Sequence, residues 1–482
     1  MRSGWLWAPG HWESRLFFTR ALAAVYLIAF VAAVAQFRPL IGSGGVLPVP
    51  RFVARVPFRR APSVFQLRYS DGFFAGCCWF GAALAAAGLA GGLDRAPVWG
   101  WMLAWGALWA LYLSVVNVGQ VWYGFGWESL LVETGFLAVF LGPAGVAPPR
   151  LVLWLLRWLL LRLELGAGLI KLRGDPCWRD LTCLQYHHET QPLPNPFSWR
   201  FHNLPPRLHR IEVLANHATQ LVVIWGVLAP QPVASVAAGV VVVTQLWLML
   251  SGNFAWLNAL TITIALSVID GRVLHQLLPV SPGHALARPA GLAAAVLALT
   301  AFVAALSWRP ARNLLSRHQR MNAAFDPLHL VNTYGAFGHV TRERREVVVE
   351  GTADPHPGPG TEWREYRFRG KPGDLRRRPP QVAPYHLRLD WLLWFVGISP
   401  VYADPWLVPF LAQLLRNDPA TLRLLGESPF PDGPPVFVRA RLYRYRFTTP
   451  QERRATGEWW ARTLTGDLVR PFSLSGERGI AE

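Results

Sequence analysis

Lysine is nearly absent from this 482-residue chain: of its 47 basic residues only Lys171 and Lys371 are lysines. The bias is that of GC-rich coding, as in many bacteria. Cysteine is scarce too, and four residues cannot build a disulfide scaffold in a chain this long. Cys77 and Cys78 lie in an apolar run, which leaves Cys177 and Cys183 as the pair to consider. Six apart, they have neither CxxC redox spacing nor the spacing of a zinc pair, so a local disulfide and two free thiols both stand. Acidic residues number 29 against the 47 basic ones, a net charge of +18. In a soluble protein that excess would point to nucleic acid. Here 26 of the 47 fall after residue 308, outside the apolar runs, and anionic lipid headgroups account for them more simply. No serine nucleophile elbow, phosphate loop or dinucleotide fingerprint stands in a strand-to-helix context, and no repeat is evident. Those enzyme classes are excluded, and no cofactor is expected.

What the chain has in quantity is apolar surface: 52% of its residues are hydrophobic and 24 are tryptophan. Apolar runs at 21–37, 73–93, 98–118, 125–142, 151–172, 212–229, 233–250, 254–270 and 290–308 predict an α-helical multi-pass membrane protein of about eight or nine spans. The run from Ala21 is longer than a signal-peptide core. Residues 1–308 form the transmembrane domain in this reading, with long loops at 38–72 and 173–211. Residues 309–482 read as a small extramembrane α+β domain. In it RREVVVEGT (344–352) and EWREYRFRG (362–370) predict a hairpin, and VFVRARLYRYRF (436–447) a third strand. Helices are expected around Trp391 to Ile398 and Leu407 to Leu415. The positive-inside count places the long loops in the cytoplasm, whereas a disulfide would place them outside.

The richest stretch is Leu151 to Pro206, an apolar helix that ends in a polar, aromatic loop. Arg157, Glu164 and Lys171 recur every seven residues and share one stripe. Each costs roughly 2.5–3.5 kcal/mol at a membrane centre, so the stripe should face protein or water. Glu128 and Glu133 in the preceding span lie about 140° apart around a helix, and one of them is the natural partner of Arg157 or Lys171. The plainer role is an ion pair locking two helices together, although intramembrane ionisable groups are functional candidates. In the loop, the tetrad Tyr186 to Glu189 with His202 and His209 invites a metal. Neighbouring histidines diverge on a regular element and no HExxH-type spacing exists, so no metal is expected. The turn Asn332 to Gly338 carries a packed aromatic, with glycines serving backbone geometry.

Four stretches resemble the lipase maturation factor family: GFGWESLLVETGF (124–136), GLIKLRGDPCWRDLTCLQYHHETQPLPNP (168–196), LVNTYGAFGHVTRERREVVVEGT (330–352) and APYHLRLDWLLWF (383–395). The resemblance implies a multi-pass protein, in eukaryotes of the endoplasmic reticulum membrane, whose members help secreted dimeric lipases fold, assemble and leave. In a bacterium the cytoplasmic membrane would be its place. Gly168, Lys171, Leu172, Gly174 and Trp178 are also similar to the membrane core of vitamin K-dependent carboxylases, where a lysine acts as base on a quinol. Only Lys171 maps onto that machinery.

Two readings follow. In the first the chain is a membrane-embedded chaperone, with Trp178, Tyr186, His187, His188, Glu189 and Trp199 of the long loop engaging a lipase-like client beside the lipids. In the alternative it is a membrane enzyme on a lipid or quinone-like substrate, with Lys171 as base and Glu128 or Glu133 tuning it. The surroundings of Lys171 discriminate between them: a base near neutral pH needs a cavity and no saturating carboxylate.

Overall fold

The computed structural model describes residues 3–277, 279–282 and 285–474. The membrane part is built on helix α1 (Trp12–Ile41), whose Phe18, Leu22, Tyr26, Phe30 and Phe37 are buried. Packed against it is α2 (Asp71–Ala90). Ser70 caps α2, its hydroxyl accepting from the Phe73 backbone at 3.1 Å, and the helix ends where Gly91 adopts a φ of 92°; a side chain would strain that left-handed turn. Helices α3 (Val98–Val118), α4 (Gly126–Ala138) and α5 (Arg150–Arg173) follow.

Among the described residues, six helices are long and apolar enough to cross a membrane, or seven if the sharply bent pair Leu257–Leu266 and Gly271–Leu277 is one span. The expected count was eight or nine. The runs at 125–142 and 151–172 are absent from the six for different reasons. Helix α4 has 13 residues, about 20 Å against a hydrocarbon core of about 30 Å. Helix α5 has 24 residues and is long enough, but it carries Arg157, Arg162, Glu164 and Lys171. All four are buried inside protein. This helix is the core strut of the fold.

After α5 a loop carries the short helix α6 (Leu184–Thr190) and returns through α7 (Pro206–His217). A wide π-helical turn, Ala218–Val222, prolongs α7, and α8 (Val233–Ser251), α9 (Leu257–Leu266) and α10 (Ala290–Leu306) complete this part.

The C-terminal region is a four-stranded antiparallel sheet of order β2-β1-β3-β4. Its strands are β1 (Arg344–Thr352), β2 (Arg364–Glu365), β3 (Phe437–Phe447) and β4 (Trp460–Phe472). The hairpin is reduced to two paired positions on β2, Glu350 with Glu365 and Gly351 with Arg364. Strand β4 escapes the sequence reading because register shifts against β3 break its alternation and only one of its 13 residues is fully buried. Helices α11 (Arg388–Ile398) and α12 (Leu407–Leu415) fill the space between strands β1 and β3 in sequence. On β3 the aromatics form core: Tyr445 and Phe447 are buried, and Phe447 stacks on Trp460 at 4.0 Å. Arg444 and Arg446 point the other way and pair with Glu343 and Glu452.

Candidate functional site

The loop from residue 173 to 211 is docked on three sides. At its start the Asp175 carboxylate caps Cys177 N at 3.0 Å and takes two hydrogen bonds from Arg342, at 3.0 and 2.8 Å. The Arg342 hydrogen bonds hold that carboxyl down at about 2. Cys177 and Cys183 are bonded, with Cα atoms 4.8 Å apart, inside the range such a bridge needs. Further along, Arg344 of β1 donates to the carbonyls of Glu189 and Pro192, both at 2.9 Å. The Glu189 carboxylate accepts from Phe447 N at 2.7 Å, Trp394 donates to Thr190 O at 2.8 Å, and Trp199 donates to Thr448 O at 2.7 Å. Loop and sheet therefore form one head. Close backbone approach carries it onto the membrane part: a Cβ on Gly174 would lie 2.1 Å from Gly338 O, and one on Gly166 2.4 Å from Tyr334 O.

Beneath the head lies a cavity of about 1340 Å³, walled by α5, α7, α8, the loop and α11. Its lining is mostly apolar, with one polar pole. There Lys171 Nζ donates to Asn216 Oδ1 at 2.7 Å and Gln220 Oε1 at 2.9 Å, with the Trp178 ring 4.9 Å away. Gln220 sits on the π-helical turn and donates in the other direction to Glu164 at 3.0 Å, while Gln245 of α8 donates to the other Glu164 oxygen at 2.6 Å. Gln220 thus bridges the lysine and the carboxylate, while Asn216 completes the one and Gln245 the other. They also satisfy both buried charges, which would otherwise be costly.

The charged stripe is buried, but it does not pair with α4 as expected. Arg157 reaches Ala229 O at 3.4 Å, and Lys171 and Glu164 meet α7 and α8. Glu133 pairs instead with Arg162 of α5 and accepts from Asn332 N at 3.0 Å and the Tyr334 hydroxyl at 2.7 Å. Glu128 pairs at 2.6 Å with Arg388, the first residue of α11, and also accepts from the Tyr112 hydroxyl. Both glutamates are fully engaged and neither approaches Lys171. Two carboxylates 140° apart on one helix need two partners on two different elements. That much is readable in sequence; Arg162 lies off the seven-residue stripe and Arg388 is more than 250 positions away, so spacing points to neither.

Of the loop residues singled out in the sequence, Trp178, His187 and His188 are buried, and Tyr186, Glu189 and Trp199 are half-buried. Burial pushes the His187 imidazole down to about 3. Tyr186 lies under Arg342, 4.7 Å from its guanidinium carbon, and Trp199 under Arg453, also at 4.7 Å. These side chains hold the head together rather than project from it. The fold also brings His209 and Glu212 of α7 against His188, a grouping that lay beyond the reach of tetrad spacing.

Comparison with known proteins bears on the whole of this architecture. Residues 13–276 match the model of the lipase maturation factor transmembrane domain, and residues 330–470 that of the lipase maturation factor C-terminal domain. Lipase maturation factor 1 of Bos taurus is 40% identical over 512 residues, covering 97% of this chain and 90% of that protein. The chain belongs to the lipase maturation factor family. Lipase maturation factor 1 of Homo sapiens is 39% identical over 96% of this chain and 88% of its own length. Lipase maturation factor 2 of Homo sapiens is 29% identical over 95% and 82%. No solved structure matches significantly. Within this family the relatives carry the name of a maturation factor, and they give the reading of Lys171 as a catalytic base no support.

Proposed function

We propose that this family member is a membrane-embedded maturation factor that assists the folding and assembly of secreted, lipase-like proteins at the membrane surface. The observation that carries the reading is the rim of the cavity. Ile398, Val401 and Tyr402, at and just beyond the end of α11, line its mouth. Val401 is 79% exposed and Tyr402 51%. Apolar side chains held out on a rigid support are what a binding surface for an incompletely folded client needs, since the support has already paid the ordering entropy. The head supplies that support through the disulfide, the Asp175–Arg342 pair and Arg344. The membrane lipids are the second partner, and the arginines outside the spans suit their headgroups.

The test is co-expression with a secreted dimeric lipase in a host lacking a factor of its own. Val401→Asp with Tyr402→Asp should leave the level of the factor unchanged and lower secreted lipase activity per lipase chain made. Unchanged activity at unchanged level would remove the rim as the working surface.

A further inference from the structure

Where the loop meets α7 lies a second constellation that neither the client surface nor the charged pole uses. His188 on α6 and His209 and Glu212 on α7 each offer one ligand atom, and these atoms all lie within 4.8 Å of one another. His209 Nδ1 is 3.2 Å from Glu212 Oε2, and His188 Nε2 is 3.6 Å from the same oxygen. For bonds of about 2.0–2.1 Å, tetrahedral geometry puts neighbouring ligand atoms about 3.3–3.4 Å apart, so two edges of the figure already have the length an ion would impose.

An independent observation points to an occupant. His188 is 2% exposed, and neither of its ring nitrogens has a hydrogen-bond partner among the described residues. The 3.6 Å to Glu212 is too long for a hydrogen bond. A buried imidazole with both nitrogens idle is costly, and an ion between it and Glu212 would satisfy one of them. The remaining Glu212 oxygen is already oriented by Trp247 Nε1, which donates to it at 3.0 Å; such outer contacts fix the ligands of metal sites. The other group of potential ligands, Asp175 with Cys177 and Cys183, is closed by the disulfide.

We propose that His188, His209 and Glu212 form a binding site for a divalent transition metal of the zinc class. Imidazole and carboxylate donors suit zinc. Two histidines and one carboxylate leave a coordination position free, and because His188 and Glu212 line the cavity, that position opens into it. The ion would also fasten the loop to α7. His188 and His209 stand in the histidine group read from the sequence; Glu212, which completes the trio, lies 24 positions from His188 and outside any ligand spacing.

The test uses the full-length chain, purified in detergent without a histidine tag, kept non-reducing, stripped with chelator and dialysed. Titration with Co²⁺ should give the visible d–d bands of a low-coordinate site, saturating stoichiometrically and bleached by Zn²⁺. In His188→Gln and Glu212→Gln the apparent affinity should fall by at least roughly 10–100-fold, the range seen when only outer contacts are lost. His202→Gln, which removes a neighbouring imidazole outside the trio, should leave it unchanged. Absence of stoichiometric cobalt and zinc uptake by the unsubstituted chain overturns the site, and that measurement stands even where a variant fails to fold. Uptake that survives both substitutions overturns it equally.

Discussion

Arg388 is where the C-terminal region is rooted in the membrane part, and replacing it with methionine tests that rooting directly. Its guanidinium donates to Glu128 Oε1 and, at 2.8 Å, to the carbonyl of Trp122, with both charged side chains fully buried. It also lies 3.5 Å above the Tyr123 ring. Methionine keeps much of the volume but strands the Glu128 carboxylate, left with Tyr112 and with His386 at 3.5 Å. Removing one partner of a buried ion pair costs about 3–5 kcal/mol. At about 1.4 kcal/mol per tenfold, that raises the population with the C-terminal region undocked by roughly two to three and a half orders of magnitude. The double change Arg388→Met with Glu128→Gln should recover part of the loss, because the stranded charge is gone; couplings of about 0.5–3 kcal/mol are usual for such contacts. Limited proteolysis in the connection between residues 316 and 330 reads the undocked population when reclosing is fast, and thermal unfolding in detergent gives an independent order of stabilities. A single variant cleaved within a few-fold of the unsubstituted rate, or strict additivity in the double variant, would refute the reasoning.

Three further outcomes are expected. The bond between Cys177 and Cys183 requires an oxidising compartment, so a membrane-impermeant maleimide should label these positions in intact cells only after reduction. Replacing both with alanine should cost roughly 2 kcal/mol for so short a loop. The Asp175 carboxyl is lowered from its ordinary value of 3.8 to about 2 by Arg342, so its contribution is fully present above 3.8 and is lost as pH falls through about 2. Acid unfolding of Arg342→Gln should therefore lie closer to that of the unsubstituted chain at pH 2 than at pH 5, and a gap independent of pH would contradict the pairing.

How much of this was legible in the sequence depends on the range of the interaction concerned. Apolar runs located α1, α2, α3 and α8 because crossing a bilayer is a local property of about twenty consecutive residues. The basic excess after residue 308 and the alternation in β1 and β3 marked a second region of different character. The stripe of Arg157, Glu164 and Lys171 gave the buried face of α5, since helical period alone decides which side chains share a side. What no local pattern contains is the identity of partners. Glu128 is closed by Arg388 and Glu133 by Arg162 and the Asn332 turn, across separations of 260, 29 and 199 positions. Nor does hydropathy separate a helix sheathed in lipid from one sheathed in protein, as α5 is along its charged face. The amides of Asn216, Gln220 and Gln245 are unremarkable along the chain. They become specific only when α7, the π-helical turn and α8 carry them to Lys171 and Glu164, with Gln220 bridging the two. A buried charge is a local debt, and the tertiary fold alone decides which distant group settles it.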